Sequence, residues 1–445
     1  MSKDYTKTTP AEMRPPILMK ESNFTQIAKV AREEPTYIFT SIVHKIDVYQ
    51  LREAFRQLRK DAASGVDKVT AKEYAKELIV NLYKLQEQLQ TGTYKPQPVN
   101  RIWIEKDNGK KRPLGIPSLE DKIVQKAVTN LMNAIYEVDF KENSYGFREE
   151  RGAHMAIRII RELCLMLNIG YILDADVSAY FDSINHDKLI EMIKTRLNDG
   201  GLIRLIKQWL KAGIMENGQY SKSEQGTPQG GIISPLLSNI YLHNVLDEWF
   251  ENVVKPRMMG RCFIVRYADD FVLGFEYKED AERVMEVLPK RFAKYELTIH
   301  PEKTKLVTFK RPIALKKEEE NGTFDFLGFT HYWSRTRNGR WTIKRKTKKK
   351  SLKKIIKSAD EWIKSNRHRS IWEIIQKLKE KLRGHYQYFG VRCNTGMLDK
   401  VLRAIERKLR YWLSRRSKKG ITWDKMRRIL ARYSLPQPCM TQKNV

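Results

Sequence analysis

Cysteine is scarce in this 445-residue chain, and Cys164, Cys262, Cys393 and Cys439 lie far apart with no CxxC pair among them. That spacing argues against a zinc module and against a disulfide framework. Long hydrophobic runs are missing too. No stretch of about 18 uncharged apolar residues is available to span a bilayer, and the opening Met1-Ser2-Lys3-Asp4-Tyr5-Thr6-Lys7 lacks the apolar core of a signal peptide. A cytoplasmic protein is the expectation. Internal repeats are absent. Acidic residues are depleted in one region above all: residues 331–445 hold 7 Asp and Glu against 34 Lys and Arg, whereas the preceding 330 residues hold 46 against 50. Most of the formal net charge of +31 therefore sits in the C-terminal quarter. Such a surface suits a polyanion, with affinity that falls steeply as salt rises.

With 41% hydrophobic and 10% aromatic residues, the chain has ample material for two or three packed domains. Residues 1–45 contain Pro10, Pro15, Pro16 and Pro35 and read as an irregular N-terminal extension with a short helix near Asn23 to Arg32. Helical periodicity covers 46–62 and 71–91. Alternation from Arg101 to Lys106, the turn Asp107-Asn108-Gly109 and a return from Lys110 to Ile116 predict a basic β-hairpin. Further helices are expected at about 121–136, 153–167, 187–198, 202–213, 234–250 and 280–295. Strands are expected at 171–177 and on both sides of residues 267–270. This order predicts an α+β fold, a small antiparallel sheet covered by helices on one face. A strand pair, 323–327 with 341–344, precedes a purely helical region. There Leu352, Ile355, Ile356, Ala359, Trp362 and Ile363 form one apolar stripe, and Leu398, Leu402, Ile405, Leu409 and Leu413 another.

The tetrad Tyr267-Ala268-Asp269-Asp270 lies between the apolar runs Phe263-Ile264-Val265 and Phe271-Val272-Leu273. It reads as a hairpin with two carboxylates at its tip. Acids beside a core are costly unless a cation or hydrogen bonds compensate, although a polar hairpin turn alone would also favour Asp. Asp176 ends another apolar strand. Three carboxylates from neighbouring strands can hold two Mg²⁺ ions, as in polymerases and nucleases. Lys106 and Arg112 on the basic hairpin offer a cation pair suited to a triphosphate, and also fit a solvated ribbon. The loop Gly226-Thr227-Pro228-Gln229-Gly230-Gly231 allows close backbone approach to a ligand and opens a helix. Phe181, five residues past Asp176, can pack against a sugar and exclude a 2′-hydroxyl, or can simply belong to a core.

Seven ordered blocks carry a resemblance. They are Ser64-Gly65-Val66-Asp67; Arg112 to Pro117; Ser144-Tyr145-Gly146-Phe147-Arg148; Asp176 with Phe181-Asp182; Gly226 to Leu237; the tetrad; and His300-Pro301-Glu302-Lys303-Thr304 with Phe326-Leu327-Gly328-Phe329. Over about residues 46–435 the chain resembles the reverse transcriptases, or maturases, encoded by bacterial group II introns.

The resemblance implies a right-hand polymerase with an antiparallel palm sheet, followed by an all-helical basic thumb and maturase-like RNA-binding region. Its divisions are residues 1–45, an N-terminal extension; 46–335, fingers and palm; and 336–445, thumb and maturase region. It implies an RNA-directed DNA polymerase that uses two Mg²⁺ ions, binds intron RNA and assists splicing and retrohoming, with an RNA template, a DNA primer or target and dNTPs as partners. Asp176, Asp269 and Asp270 would be the catalytic metal ligands. Lys106 and Arg112 would grip the dNTP, Gln229 would line its pocket, Phe181 would act as sugar gate, and Lys303 would protonate pyrophosphate. In the block Leu382 to Gly390, His385 and Gln387 stand where the family often has Trp and Asn, which leaves RNA specificity open. Many relatives carry a C-terminal DNA-binding nuclease extension; its absence here predicts no second-strand cleavage. Two alternatives remain at this level. One is a domesticated reverse transcriptase acting in phage defence or CRISPR adaptation, and the other is an RNA-binding splicing cofactor.

Overall fold

The computed structural model describes residues 23–105, 111–216, 219–221, 226, 230–312 and 321–442. Local sequence sets the helix starts. Asp47 accepts the Gln50 N–H at 2.9 Å to open helix Val48–Gln57, and Thr70 with Glu73 forms a reciprocal capping box. Ser118 accepts the Asp121 N–H at the start of Leu119–Asp139. Each such cap satisfies a backbone donor that the first helical turn leaves unpaired. Helices Asn23–Glu33 and Val48–Gln57 pack on Leu119–Asp139.

The described strands are β1 (Val99–Glu105), β2 (Lys111–Ile116), β3 (Tyr171–Ala175), β4 (Val177–Ser178), β5 (Ile214–Glu216), β6 (Gln219–Ser221), β7 (Cys262–Tyr267), β8 (Asp270–Phe275), β9 (Thr298–Ile299), β10 (Lys305–Thr308), β11 (Phe324–Phe326), β12 (Phe329–Arg335) and β13 (Trp341–Thr347). The basic hairpin β1–β2 is antiparallel, with Ile104 opposite Arg112, and joins β5 and β6 in the order β2-β1-β5-β6. The tip of that hairpin, 106–110, lies outside the described residues.

The central sheet, β10-β3-β8-β7, is antiparallel throughout. Side chains alternate between its faces. Leu173, Ile264, Leu273 and Phe275 enter a core shared with helices Ser234–Leu242 and Lys278–Ala293. Ile172, Phe263, Val265 and Val272 enter a second core with helix Ala153–Met166 and the sheet β11-β12-β13. Element order alone suggests one covered face; the structure covers both. The reason is legible in Phe263-Ile264-Val265 and Phe271-Val272-Leu273, unbroken apolar runs rather than the alternation of a half-wet sheet.

The expected pairing of 323–327 with 341–344 is also corrected. β12 lies between them, pairing Phe326 with Phe329 on one side and Arg335 with Trp341 on the other. Its mixed sequence, Phe-Thr-His-Tyr-Trp-Ser-Arg, hides its apolar face because His331 is fully buried there. Beyond it, helices Lys349–Asn366, Ile371–Phe389, Thr395–Ser414 and Trp423–Arg432 close on a third core built from Ala359, Ile363, Leu378, Leu382, Leu402 and Leu409, among others. No described helix is long and apolar enough to cross a membrane.

Candidate active site

Asp176 occupies the break between β3 and β4. Its carbonyl accepts the His300 N–H at 2.8 Å, and β4 pairs with β9 through Val177 and Ile299, so the segment after β9 is fixed beside it. That segment delivers Lys303, whose Nζ donates to the Asp176 carboxylate.

The tetrad forms a tight hairpin turn in which Tyr267 pairs with Asp270 and Ala268 takes a left-handed φ of 56°. An alanine in that region costs roughly 1–2 kcal/mol, and the surroundings hold it there. Arg266, completely buried, donates to Ala268 O at 3.1 Å, to Asn239 Oδ1 at 2.9 Å and to both oxygens of the equally buried Asp247, at 2.6 Å for the closest. Asn239 in turn donates to Gly146 O at 2.7 Å. A Cβ on Gly146 would lie 2.3 Å from Ala268 N, so only glycine permits this approach. Tyr145 N–H bonds Arg266 O, and Arg266 N–H bonds Asn143 O, both at 2.9 Å. The block Ser144 to Arg148 is therefore a brace under the acidic turn.

The carboxylates meet at a recess of about 420 Å³ lined by Asp174, Asp176, Asp270, Lys303, Asp325 and Lys348, with other residues. The Asp270 side chain opens onto the cleft, yet protein walls surround it. This desolvation first, then the negative charge of Asp269 and Asp176, pushes its carboxyl up to about 6, against the pull of Lys348 and Lys303. Burial, then Asp270, pushes Asp174 up to about 7. A carboxylate raised in this way gains from a neighbouring cation. The hard oxygen donors of Asp176, Asp269 and Asp270 suit Mg²⁺. Among the described residues, however, no three acidic, histidine or cysteine side chains are grouped so as to hold an ion, and Lys303 engages Asp176.

Phe181 sits in a short turn, Tyr180–Asp182, entered through Ala179 at a left-handed φ of 45°. Its ring meets Tyr180 edge-on, 5.4 Å between centroids, and Tyr180 is anchored by its hydroxyl to Ser238 O at 2.6 Å. Gly226, at φ 83°, lies so close that a Cβ would be 2.8 Å from Phe181 O. Gly230, at φ 115°, approaches β2, where a Cβ would be 2.4 Å from Gly115 O. The glycines thus tie the loop to Phe181 at one end and to the basic hairpin at the other. Ile232 N–H bonds Gln125 Oε1 at 2.8 Å as the following helix begins.

Of the residues singled out in sequence, Asp176, Asp269, Asp270 and Lys303 come together, with Phe181 in the turn that follows Asp176. Arg112 lies in β2, with its side chain outside the description; Lys106 and Gln229 lie outside the described residues. Sequence reasoning missed Asp174, Asp325, Lys348 and the Arg266–Asp247 pair. Asp174 was visible in principle, since two residues before Asp176 on a strand means the same face.

Comparison with known proteins agrees with this geometry. Residues 104–331, just over half of the chain, match the reverse transcriptase (RNA-dependent DNA polymerase) family. The chain belongs to that family. Residues 350–433 match the maturase-specific domain of group II introns, so this reverse transcriptase carries the two parts of a group II intron reverse transcriptase and maturase in order. It is 39% identical to protein YkfC of Escherichia coli over 239 residues, 47% of this chain and 62% of that protein. It is also 39% identical to the group II intron-encoded protein LtrA of Lactococcus lactis, over 49% of this chain and 37% of that protein. A 91 kDa protein in a Schizosaccharomyces pombe cob intron is 41% identical over 38% of this chain and 21% of its own length. The chain thus spans less than two thirds of these relatives.

Proposed function

We propose that this protein is an RNA-directed DNA polymerase that also binds a group II intron RNA and assists its splicing and mobility. The observation that carries this reading is the meeting of Asp176 with the Asp269-Asp270 turn beside Phe181, in a chain with a maturase-specific domain. In this reading the central sheet is the palm, the N-terminal helices with the β1–β2 hairpin are the fingers, and the basic helices are thumb and maturase region. Residues 1–45 form an extension, 46–335 fingers and palm, and 336–445 the rest.

Asp176, Asp269 and Asp270 would hold two Mg²⁺ ions, which when bound activate the primer hydroxyl and neutralise charge on the phosphoryl oxygens. The remaining work belongs to the protein. Lys106 and Arg112 clamp the triphosphate, Gln229 lines the nucleotide pocket, and Phe181 packs against the deoxyribose where a 2′-hydroxyl would clash. Lys303 Nζ, which donates to Asp176, hands a proton to the departing pyrophosphate. The Arg266 brace keeps the turn rigid, so that the acids need no reorganisation during the reaction. RNA template, DNA primer and dNTPs are the substrates. Primer extension on an RNA template, with dNTPs and then with ribonucleotides, tests the reading: extension must require template RNA and divalent metal and must favour dNTPs. Incorporation of ribonucleotides as efficiently as dNTPs would overturn it.

A further inference from the structure

The C-terminal helices carry an unusual surface where Thr395–Ser414 ends and Trp423–Arg432 begins. Large aromatic rings there stay in contact with water: Tyr411 is 44% exposed and Trp423 43%. Each is held against a guanidinium. Arg410 lies over the Trp423 ring at 4.6 Å and also donates to Ile421 O at 3.2 Å; Arg415 lies over Tyr411, again at 4.6 Å. Tyr411 meets Trp412 edge-on at 4.9 Å, and Trp412 is flanked by Lys364 and Arg367 at 5.8 and 5.9 Å. Aromatic rings and cations therefore interleave continuously across three helices.

The acids in this zone are already engaged. Asp360 accepts from Lys408 Nζ at 2.8 Å and Trp412 Nε1 at 2.7 Å, and Asp424 pairs with Arg427 at 2.7 Å. The connecting turn is pinned by reciprocal bonds between Ser414 and Ile421, and presents exposed Arg415, Arg416, Lys418 and Lys419. A purely electrostatic grip on a duplex needs only the cations. Water-exposed rings, pre-oriented by guanidinium contacts, add a stacking surface that a duplex cannot use, because its bases are already stacked inside. Unpaired nucleotides offer both a free π-face and adjacent phosphates.

We infer that Trp423 and Tyr411, with the cationic turn between their helices, form a docking site for unpaired nucleotides in a loop or bulge of the RNA partner. The inference rests on the RNA-binding reading above and sharpens it. It divides the basic quarter into two kinds of surface: phosphate-binding faces that tolerate any RNA, and one patch that requires an accessible base.

The test uses the full chain and two RNA probes, a hairpin with a single-stranded loop carrying 2-aminopurine and a blunt duplex of equal charge. Trp423→Ala should weaken hairpin binding about ten-fold or more, the size expected for one lost stacking contact. It should abolish quenching of the loop fluorophore and leave duplex affinity and its salt slope unchanged. Trp423→Phe keeps a π-face and should restore most of the binding and the quenching. Neutralising Lys418 and Lys419 should weaken both probes and flatten both salt slopes. Equal weakening of hairpin and duplex by Trp423→Ala, or full quenching in that variant, overturns the docking site while leaving the RNA-binding reading intact. Failure of the unaltered protein to bind either probe in a salt-dependent way sinks that reading itself.

Discussion

At the ends of the central strands, carboxylates crowd a walled recess in which burial pushes Asp174 to about 7 and Asp270 to about 6. In the helices after Lys348 the arrangement is reversed: the third core is aliphatic and aromatic, and the charge, overwhelmingly positive, lies outside. The contrast follows from handling a polyanion in two ways. Chemistry needs concentrated negative charge that recruits metal ions and is rigidly braced. Grip needs dispersed positive charge on exposed faces, where its desolvation cost is small. Joining the two within one patch would cancel both. The chain separates them with the β12–β13 hairpin, and a Lys348–Asp325 contact of 3.2 Å marks the boundary.

The separation can be broken at either side. Asp269→Ala should reduce DNA synthesis on the order of a thousand-fold while leaving salt-dependent RNA binding intact; primer-extension rates beside filter binding measure both. Arg266→Met strands the Asp247 carboxylate in a dry interior and should cost about 3–5 kcal/mol of stability in chemical denaturation. Arg266→Met with Asp247→Leu should recover much of that loss but little activity, because the Ala268 carbonyl stays unheld. Phe181→Ala should lower discrimination against ribonucleotides by about ten- to a hundred-fold, read as the ratio of kcat/KM values for paired dNTP and NTP.

On the helical side, replacing Lys349, Lys350 and Lys353 with Gln should reduce the slope of log affinity against log salt by about two to three, with single-turnover extension of prebound substrate unchanged. The smallest effect concerns His331, whose ring stacks on Phe324 at 4.7 Å and which burial, aided by Arg345, depresses to about 3 from an ordinary 6.5. Below pH 6.5 the unfolded chain takes up a proton that the folded chain refuses until about 3. Stability present above 6.5 is therefore lost as pH falls through that window, by about 1 kcal/mol over the first unit. His331→Phe should flatten this limb of the pH–stability curve.

Much of this arrangement was legible in the chain. Local chemistry exposes the helices, because caps such as Ser118 and the stripe from Leu398 to Leu413 are short-range signals. The tetrad and Asp176 were legible because acids at the ends of apolar strands are conspicuous. β12 was not, since its buried histidine breaks the apolar pattern. The support of the turn was not legible either. Arg266 reads as a charged residue in a strand, and nothing local joins it to Asp247, Asn239 or Gly146.

The sequence by itself determined the α+β character, the charge division near residue 331 and the residue types available for chemistry, because composition, periodicity and capping act over a few residues. Only the tertiary structure decided that Lys303 lies on Asp176, that both faces of the central sheet are buried, and that Arg266 holds the acidic turn from beneath. Those contacts join positions 19 to 127 residues apart for the ion pairs alone. They depend on which elements pack together, a property of the whole core that no local pattern records.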